Sequence, residues 1–177
     1  MTSELGYTAE AHDAFEELSA DGFASLSFDE EWLVSMGLLA ETAKTLGDAD
    51  RASVLHGLLL PYSDRVAVAY PEVSTGAVSR YLGMLAETME RWDDAARHFR
   101  DAIATNERIG ARPWLAHSRN DLAGSLLGGG KSADREEAEA LVSEALRTFG
   151  ELGMQTYATS ASALSDEVRA QRSGQEG

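Results

Sequence analysis

The stretch that decides the fold is YLGMLAETMERWDDAARHFRDA, residues Tyr81–Ala102. On either side of a break near Glu90, apolar residues recur at steps of three and four, which is the period of an α-helix. Small residues such as Gly83 and Ala95 let two helices approach each other, and Phe99 fills the gap beside them. The stretch therefore predicts two helices joined by a tight turn.

The same pattern occurs three times along the chain. The second-helix alanines Ala52, Ala95 and Ala138 follow one another at equal steps of 43 residues, and Gly110 and Gly153 are separated by the same step. A fixed period of this length is typical of stacked helical pairs that share one continuous core. The matching slots hold Leu39, Ala40, Ala43, His56 and Leu59 in the first occurrence, Leu82, Gly83, Ala86, Phe99 and Ala102 in the second, and Ala123, Val142 and Ala145 in the third.

The predicted fold class is all-α, a right-handed α-solenoid of three helical pairs with further helices at the ends. No segment of four or more residues alternates cleanly enough to compete as a strand, although Val66–Tyr70 is compatible with a short helix or an extended segment. The predicted organisation is a single helical domain over 1–172, with repeats at 29–61, 74–110 and 113–153, capping helices at 7–20 and 156–171, and a flexible tail at 173–177.

Local signals mark several helix ends. Ser27 and Glu30 match a capping box, which predicts the start of a helix that runs to Leu46. The glycines at 128–130 are expected to form a flexible connector, after which Ser132 caps the next helix. Together with Lys131-Ser132 this run has a superficial likeness to a phosphate-binding loop. It lacks the preceding buried strand and the spaced first glycine that such a loop requires.

Composition and charge exclude several classes of protein. The chain has 177 residues, of which 44% are hydrophobic, and 15 Lys and Arg stand against 30 Asp and Glu, a net charge of -15. Such an acidic chain is expected to be repelled by nucleic acid, and the absence of cysteine removes disulfides and thiol nucleophiles. No apolar run approaches the roughly 20 residues of a membrane span, and no export signal is recognised, so a cytoplasmic location is expected.

The repeat resembles a known family. The pattern of Leu82-Gly83, Ala86, Ala95 and Phe99 looks like a tetratricopeptide repeat (TPR). More narrowly, residues 10–153 resemble the C-terminal MalT-like repeat region of large actinobacterial signalling ATPases, the LuxR-type regulators and their cyclase-fused relatives. The resemblance implies a solenoid that senses a ligand or partner and gates an attached output domain. The runs that carry it include Trp32-Leu33, Leu46-Gly47-Asp48, Arg91-Trp92-Asp93-Asp94-Ala95 and Gly110-Ala111-Arg112-Pro113-Trp114.

That likeness has a limit. No Walker-type phosphate loop, DNA-reading helix-turn-helix or cyclase segment is recognised in these 177 residues. The ATPase and transcription roles of the family are therefore assigned to no residue of this chain.

Groove-facing positions of the first helices are the candidate binding surface. In the TPR pattern these positions line the concave side of the stack. Lys44, Arg80 and His117 are predicted to form a cationic rim, and Met84 and Trp114 beside it offer apolar contact. A peptide with a carboxylate and an apolar anchor suits such a rim, and the alternative is that these are ordinary solvated positions. The candidate partner-binding residues are Lys44, Arg80, Met84, Glu87, Trp114, His117 and Asp121.

Two groups of side chains are candidates for metal binding or catalysis. Asp94, His98 and Asp101 share a helix face at a spacing compatible with a divalent cation, but such sets are common on acidic helices. His117 and Asp121 lie four residues apart, as a carboxylate that orients an imidazole does, yet no motif places a nucleophile beside them. No catalytic, cofactor-binding or metal-binding residue is therefore expected.

The predicted function is a non-catalytic protein–protein interaction scaffold, the sensor or partner-binding part of a bacterial signalling or transcriptional regulator. A small-molecule-sensing helical domain is the alternative, and an enzyme on a helical scaffold is a further one. The partner is expected to be a protein or peptide, without a cofactor, a metal, nucleic acid or a membrane. Because residues 7–20 look like half of a helical pair, a second copy of the chain is predicted to cover them in a homodimer.

Overall fold

The computed structural model describes residues 12–70, 73–131 and 134–173, with side chains to residue 171. These residues are mostly helical, as predicted, but a two-stranded antiparallel sheet lies among the helices. The first strand lies within Val66–Tyr70, for which an extended segment is one of the two expected conformations, whereas the second includes residues from Ser74 onward that are expected to be helical. In chain order the described elements are α1 (12–19), α2 (Trp32–Leu46), α3 (Ala49–Leu59), a 3-10 turn (Leu60–Tyr62), β1 (Val66–Ala69), β2 (Val73–Ala77), α4 (Val78–Thr88), α5 (Trp92–Arg108), α6 (Arg112–Gly128), α7 (Arg135–Glu151) and α8 (Gln155–Ser173).

The hairpin of β1 and β2 explains why α4 begins later than the sequence indicates. The helix predicted from Ser74 begins at Val78, because the preceding residues pair with β1. Gly76 has a φ of 81°, next to the irregular register opposite Ala67 and Val68. That backbone conformation suits glycine and a bulged strand and is incompatible with a right-handed helix.

Residues 1–90 form one compact unit, called unit 1 below and described from residue 12 onward. Within it α4 packs against both α2 and α3, and the hairpin packs against α2. Packing against two helices explains why α4 is buried along most of its length. The largest fully buried side chains of unit 1 include Met36, Leu55, Leu59, Leu82 and Leu85.

Residues 91–177 form the second unit, unit 2, described to residue 173. Each of its helices α5, α6, α7 and α8 packs against the next one along the chain, and short turns reverse the direction each time. Gly110 and Gly153 have φ values of 69° at two of these turns, as their spacing predicts. Large fully buried side chains of unit 2 are Phe99, Leu122, Val142, Phe149 and Val168.

The slots of the 43-residue repeat are buried in all three occurrences. Ala52, Ala95 and Ala138 have no exposed surface. His56 and Phe99, which occupy matching slots, are 8% and 0% exposed. The periodicity of the sequence therefore identifies core positions in both units. The remaining buried slots are Leu39, Ala40, Ala43, Leu59, Leu82, Gly83, Ala86, Ala102, Ala123, Val142 and Ala145.

The capping box predicted for α2 is wrong. Trp32 is the first helical residue, and no side chain caps the helix at Glu31. Asp29 instead accepts a hydrogen bond from the Glu31 backbone at 3.0 Å, which holds the turn before the helix. The predicted cap at Ser132, the helix start at residue 7 and the tail after Ser173 lie outside the described residues.

Arg51 ties α1 to α3. Its Nε donates to Ser19 Oγ at 2.6 Å, and its two terminal nitrogens bind Asp48, at 2.6 Å, and Glu16. The guanidinium also lies 5.9 Å from the ring centre of Phe15, which is 2% exposed. The largest apolar side chain of α1 is thus covered within its own chain, and the homodimer argued from this helix stays a prediction.

The Asp48 carboxylate caps α3 and makes the stability of the protein depend on pH in the acid range. Its Oδ1 accepts a hydrogen bond from the Arg51 backbone at 2.9 Å at the start of α3. Burial opposes ionisation, but the hydrogen bonds and the charge of Arg51 outweigh it and hold the pKa of Asp48 below its ordinary value of 3.8. A carboxyl whose folded pKa is lowered stabilises the protein at neutral pH, and this contribution is lost as the pH falls below the ordinary value.

An Asp48→Asn variant tests this contribution. Asparagine is also a good capping residue but carries no charge, so we expect the variant to lose less stability than the wild type between about pH 6 and about pH 3. Urea denaturation at both pH values measures the difference. Equal acid sensitivity of the two proteins would show that the Asp48–Arg51 pair does not contribute.

Candidate partner-binding site

Two residues of the predicted cationic rim, Lys44 and Arg80, face carboxylates. In unit 1, Lys44 Nζ lies 2.6 Å from a carboxylate oxygen of Glu87, which joins α2 to α4. Arg80 is 5% exposed, and one of its terminal nitrogens lies 3.5 Å from Glu41 on α2. Both cations therefore face acids of the same chain, with which the carboxylate of a bound peptide would have to compete.

The predicted site residues fall into two sets, one in each unit. Lys44 and Glu87 are in contact in unit 1, where Met84 is 4% exposed and therefore does not present an apolar surface. In unit 2, Trp114 and His117 are in contact, with ring centres 5.4 Å apart. The remaining members of the two sets are the buried Arg80 in unit 1 and the half-buried Asp121 in unit 2.

Four rings of unit 2 form what we call the aromatic cluster: Trp114, His117, Phe149 and Tyr157. The His117 ring is at the centre, 4.4 Å from Tyr157 and 5.1 Å from Phe149, and meets both edge to face. This is a favourable geometry for aromatic rings. His117 is 8% exposed and Tyr157 49%. The cluster thus has a packed imidazole inside and a tyrosine ring on its solvent side.

The sequence argument missed Tyr157, although a signal for it exists. Tyr157 lies 43 residues after Trp114, so it occupies the same slot one repeat later, at the start of α8. The sequence predicts the helix over 156–171 as a cap, which carries no candidate binding position. A further step of 43 residues from Trp114 leads to Tyr157, which places the two rings at matching positions of α6 and α8.

A cleft lies between α5 and α6, and we call it the Trp92 cleft. Its volume is about 150 Å³. The indole of Trp92, which the sequence assigned to core packing, is half-buried and forms one wall. The lining residues are Trp92, Asp93, Ala96 and Arg100 of α5, Ser125 and Leu126 of α6, and Gly129, Lys131 and Asp134 from the connection to α7.

Both cations of the Trp92 cleft are held by acids. One terminal nitrogen of Arg100 donates to the two carboxylate oxygens of Glu137 at 3.0 and 2.8 Å. Lys131 donates to Asp93, and this hydrogen bond raises the pKa of Lys131 above its ordinary value. An incoming anion would therefore have to displace a carboxylate from each of them.

One hydroxyl in the lining of the cleft has no hydrogen-bond partner among the described residues. Ser125 is 1% exposed, and its Oγ makes no hydrogen bond with any described residue. By contrast, Ser118 on the same helix donates to the Trp114 carbonyl at 2.8 Å. The charge of the Asp134 carboxylate, at the N-terminal end of α7, adds to that of Asp93 in raising the pKa of Lys131. The hydroxyls of Ser79 and Ser165 are likewise buried without a hydrogen-bond partner among the described residues, so that of Ser125 does not by itself indicate a ligand.

The glycines after α6 are a packing surface as well as a connector. A Cβ at Gly128 would lie 2.6 Å from the Trp92 ring, and the Cβ of Trp92 is already 3.3 Å from the corresponding position at Gly129. An added carbon at Gly128 therefore requires the indole to shift from its position against the end of α6. The prediction of a merely flexible linker is corrected accordingly.

A Gly128→Ala variant is expected to lower the free energy of unfolding by about 1–3 kcal/mol, because the methyl group overpacks the indole. The matched control is Gly150→Ala in α7, where nothing lies within 4 Å of the added carbon. That change is expected to raise stability by about 0.5–1 kcal/mol, since alanine favours the helix. Urea denaturation distinguishes the two, and a gain at both positions would contradict the packing.

The Asp94 carboxylate, considered above as a metal ligand with His98, is held by cations instead. Hydrogen bonding from Arg91, together with Arg97 at 2.6 Å, lowers the pKa of Asp94. In the part of the chain that the structure describes, no three His, Asp or Glu side chains are grouped as metal ligands. Among the same residues, no helix is both long and apolar enough to cross a membrane.

No protein-family model, curated protein or solved structure matches the chain. The features of the chain that bear on its function are the aromatic cluster and the Trp92 cleft. Both lie within unit 2.

Proposed function

We propose that the chain is a non-catalytic helical scaffold that binds a protein partner in the cytoplasm, as the sensor or partner-binding part of a bacterial signalling or transcriptional regulator. The observation that carries this proposal is the aromatic cluster. On a molecule of net charge -15, it keeps the Tyr157 ring half exposed on a rigid support of His117 and Phe149. Tyrosine and tryptophan are enriched where protein interfaces gain most of their energy.

The proposed architecture is the TPR-like solenoid. It is based on the 43-residue period, on the burial of its slots and on the successive packing of α5 to α8 in unit 2. In such a stack neighbouring first helices form the binding surface. The helices α6 and α8 are in contact, and each contributes a ring to the aromatic cluster.

Small-molecule sensing is the second candidate, and the Trp92 cleft is the observation that favours it. Pockets for whole ligands typically enclose roughly 300–1,000 Å³. The cleft encloses about 150 Å³, closer to the size of a single side chain. A protein partner that inserts one residue therefore fits it better than a metabolite does.

Affinity capture with a matched pair of tyrosine variants tests the proposed function. Tyr157→Ser removes the exposed ring of the aromatic cluster, whereas Tyr70→Ser removes a ring that is 79% exposed beside the hairpin of unit 1. We expect one protein from the source cells to be retained by the wild type and by Tyr70→Ser and to be lost by Tyr157→Ser. Thermal melting of both variants checks that they are folded.

Two results would count against this function. Equal retention of the same proteins by both variants would exclude the aromatic cluster as the contact. If no protein is retained and the melting temperature rises with a fraction of cell metabolites, the small-molecule candidate replaces the scaffold.

A further inference from the structure

We propose that an exposed aromatic surface of unit 1 binds a basic segment of a protein, in which an apolar residue is flanked by arginine or lysine. The surface, called the Phe28 surface below, consists of the rings of Phe28, Trp32 and Tyr62 and the carboxylates of Glu30 and Glu31. It does not depend on the aromatic cluster of unit 2, and it gives the chain a second binding surface.

The three rings of the Phe28 surface support one another. Phe28 lies just before α2, Trp32 is the first residue of α2, and Tyr62 ends the 3-10 turn after α3. The centre of the Phe28 ring is 5.1 Å from that of Trp32 and 6.0 Å from that of Tyr62, and the latter two rings meet edge to face at 5.3 Å. Trp32 is buried, whereas Phe28 is 71% exposed. The phenyl group therefore projects into solvent from a base of two packed rings.

The fold alone does not account for the exposure of Phe28. A phenyl group that remains in water gains little of the free energy that burial provides. The other phenylalanines of the chain are all buried, namely Phe15, Phe23, Phe99 and Phe149. A large apolar ring that is exposed on a packed support is typical of the anchor of a protein interface.

Two unpaired carboxylates lie on the turn that joins the rings of Phe28 and Trp32. Glu30 and Glu31 are exposed, and neither forms an ion pair with any described residue. No side chain caps α2 at Glu31, and the hydrogen bond that holds the turn is accepted by Asp29.

The basic side chains of unit 1 are engaged elsewhere. Each of its lysines and arginines faces another acid, as Lys44 faces Glu87 and Arg65 faces Asp64. The carboxylates of Glu30 and Glu31 therefore have no cation of unit 1 beside them. The Phe28 surface thus combines an apolar anchor with uncompensated negative charge.

A basic segment complements this combination. A guanidinium group pairs with carboxylates and also stacks on aromatic rings, and an apolar residue next to it packs against the exposed phenyl group. The net charge of -15 attracts such a segment from solution. Binding is expected to weaken as salt is added.

Two other occupants fit the Phe28 surface less well. A symmetric contact between two copies of the chain brings the same patch of each copy together, so that Glu30 and Glu31 would face like charges. The surface of an anionic bilayer repels the same carboxylates. The charge of the surface therefore favours a basic protein segment over both.

Nuclear magnetic resonance of the whole chain with a short peptide tests the inference. The probe is a capped peptide in which two leucines are flanked on each side by two arginines, and the readouts are the Trp32 indole N–H and the backbone amides of Glu30 and Glu31. We expect saturable shifts at these groups. Phe28→Ser is expected to weaken binding by about tenfold or more, and the double variant Glu30→Gln with Glu31→Gln by about fivefold.

Matched controls separate binding from folding. Leu38→Ser removes another exposed apolar side chain of α2. Asp50→Asn with Glu90→Gln removes two exposed charges of unit 1 that lie beyond the C-terminal ends of α2 and α4. Both controls are expected to bind the peptide as the wild type does. Because the Phe28 ring is mostly exposed, Phe28→Ser is expected to melt close to the wild type.

Several results would overturn the inference. They are the absence of saturable shifts at millimolar peptide, equal affinity for a peptide with serine in place of leucine or with glutamate in place of arginine, and unchanged affinity in both Phe28→Ser and the double glutamine variant. Equal binding of the serine peptide would show that the overall charge of the chain, and not the Phe28 surface, attracts the probe.

The other occupants are tested in the absence of peptide. If the Trp32 indole signal shifts with protein concentration and Phe28→Ser abolishes that shift, a second copy occupies the surface. If the wild type, and not Phe28→Ser, sediments with vesicles of phosphatidylcholine and phosphatidylglycerol, the surface binds lipid. Either result would overturn the assignment to a basic protein segment.

The test is independent of the one for the proposed function. If Phe28→Ser binds the peptide as the wild type does while Tyr157→Ser still loses its captured protein, the scaffold function stands without this inference. Peptide binding at the Phe28 surface together with no Tyr157-dependent capture would support the surface and contradict the proposed role of the aromatic cluster. The two experiments therefore fail separately.

Discussion

Replacing Phe99 with alanine is expected to lower the free energy of unfolding by about 3–5 kcal/mol, measured by urea denaturation. Phe99 has no exposed surface, and its neighbours on the same face of α5, Ala95 and Ala102, are equally buried. These alanines have no flexible atoms with which to fill the space that the ring leaves. The loss therefore combines the transfer of a large apolar group with a cavity that persists.

Two valines serve as controls for this experiment. Val142→Ala changes the matching slot of α7, which is also 0% exposed, and its loss is expected to be smaller because fewer atoms are removed. Val54→Ala changes a residue that is 43% exposed and is expected to stay within about 0.5 kcal/mol of the wild type. If Phe99→Ala costs no more than Val54→Ala, the repeat slots are not the core.

The second large effect is expected at Gly37 in α2, where alanine should cost about 1–3 kcal/mol. A Cβ at this position would lie 2.7 Å from the ring of Tyr81. The ring is 2% exposed, and its hydroxyl donates to the Thr75 carbonyl at 3.2 Å, so it is held from both ends. Burial raises the pKa of the Tyr81 hydroxyl, in agreement with this enclosure.

Gly57→Ala is the matched control for Gly37→Ala. Gly57 lies in α3 of the same unit, and nothing lies within 4 Å of the carbon that would be added. Alanine there is expected to stabilise the protein by about 0.5–1 kcal/mol. We therefore expect the melting temperature to fall in Gly37→Ala and to rise in Gly57→Ala. A rise in both variants would contradict the close contact of α2 and α4.

Much of the helical core follows from the sequence. The period of 43 residues identifies buried slots such as Ala52 and Ala138, because packing of two helices demands small residues at fixed positions. The sequence left the conformation of the first strand open and missed the second strand and the pairing of the two, for a physical reason. Val66–Ala69 consists of apolar residues throughout, so it shows no alternation, and its partner strand is chosen by tertiary pairing.

The candidate site follows from the sequence only in part. The repeat pattern assigns Trp114 and His117 to groove-facing positions, and a further step of 43 residues from Trp114 leads to Tyr157. It does not reveal that Lys44 is paired with an acid 43 residues away, because ion pairs between neighbouring helices depend on side-chain conformations. The unsatisfied hydroxyl of Ser125 is likewise visible only once every neighbour has been placed.

The central claim is that unit 2 binds a protein through its aromatic cluster, and photocrosslinking in the cells that make the protein tests it most directly. A benzoylphenylalanine is placed at Tyr157 or, as the control, at the more exposed Tyr70 of unit 1. We predict one discrete crosslinked protein from position 157 and none of that mass from position 70. No crosslink at 157, or the same products at both positions, would contradict the claim.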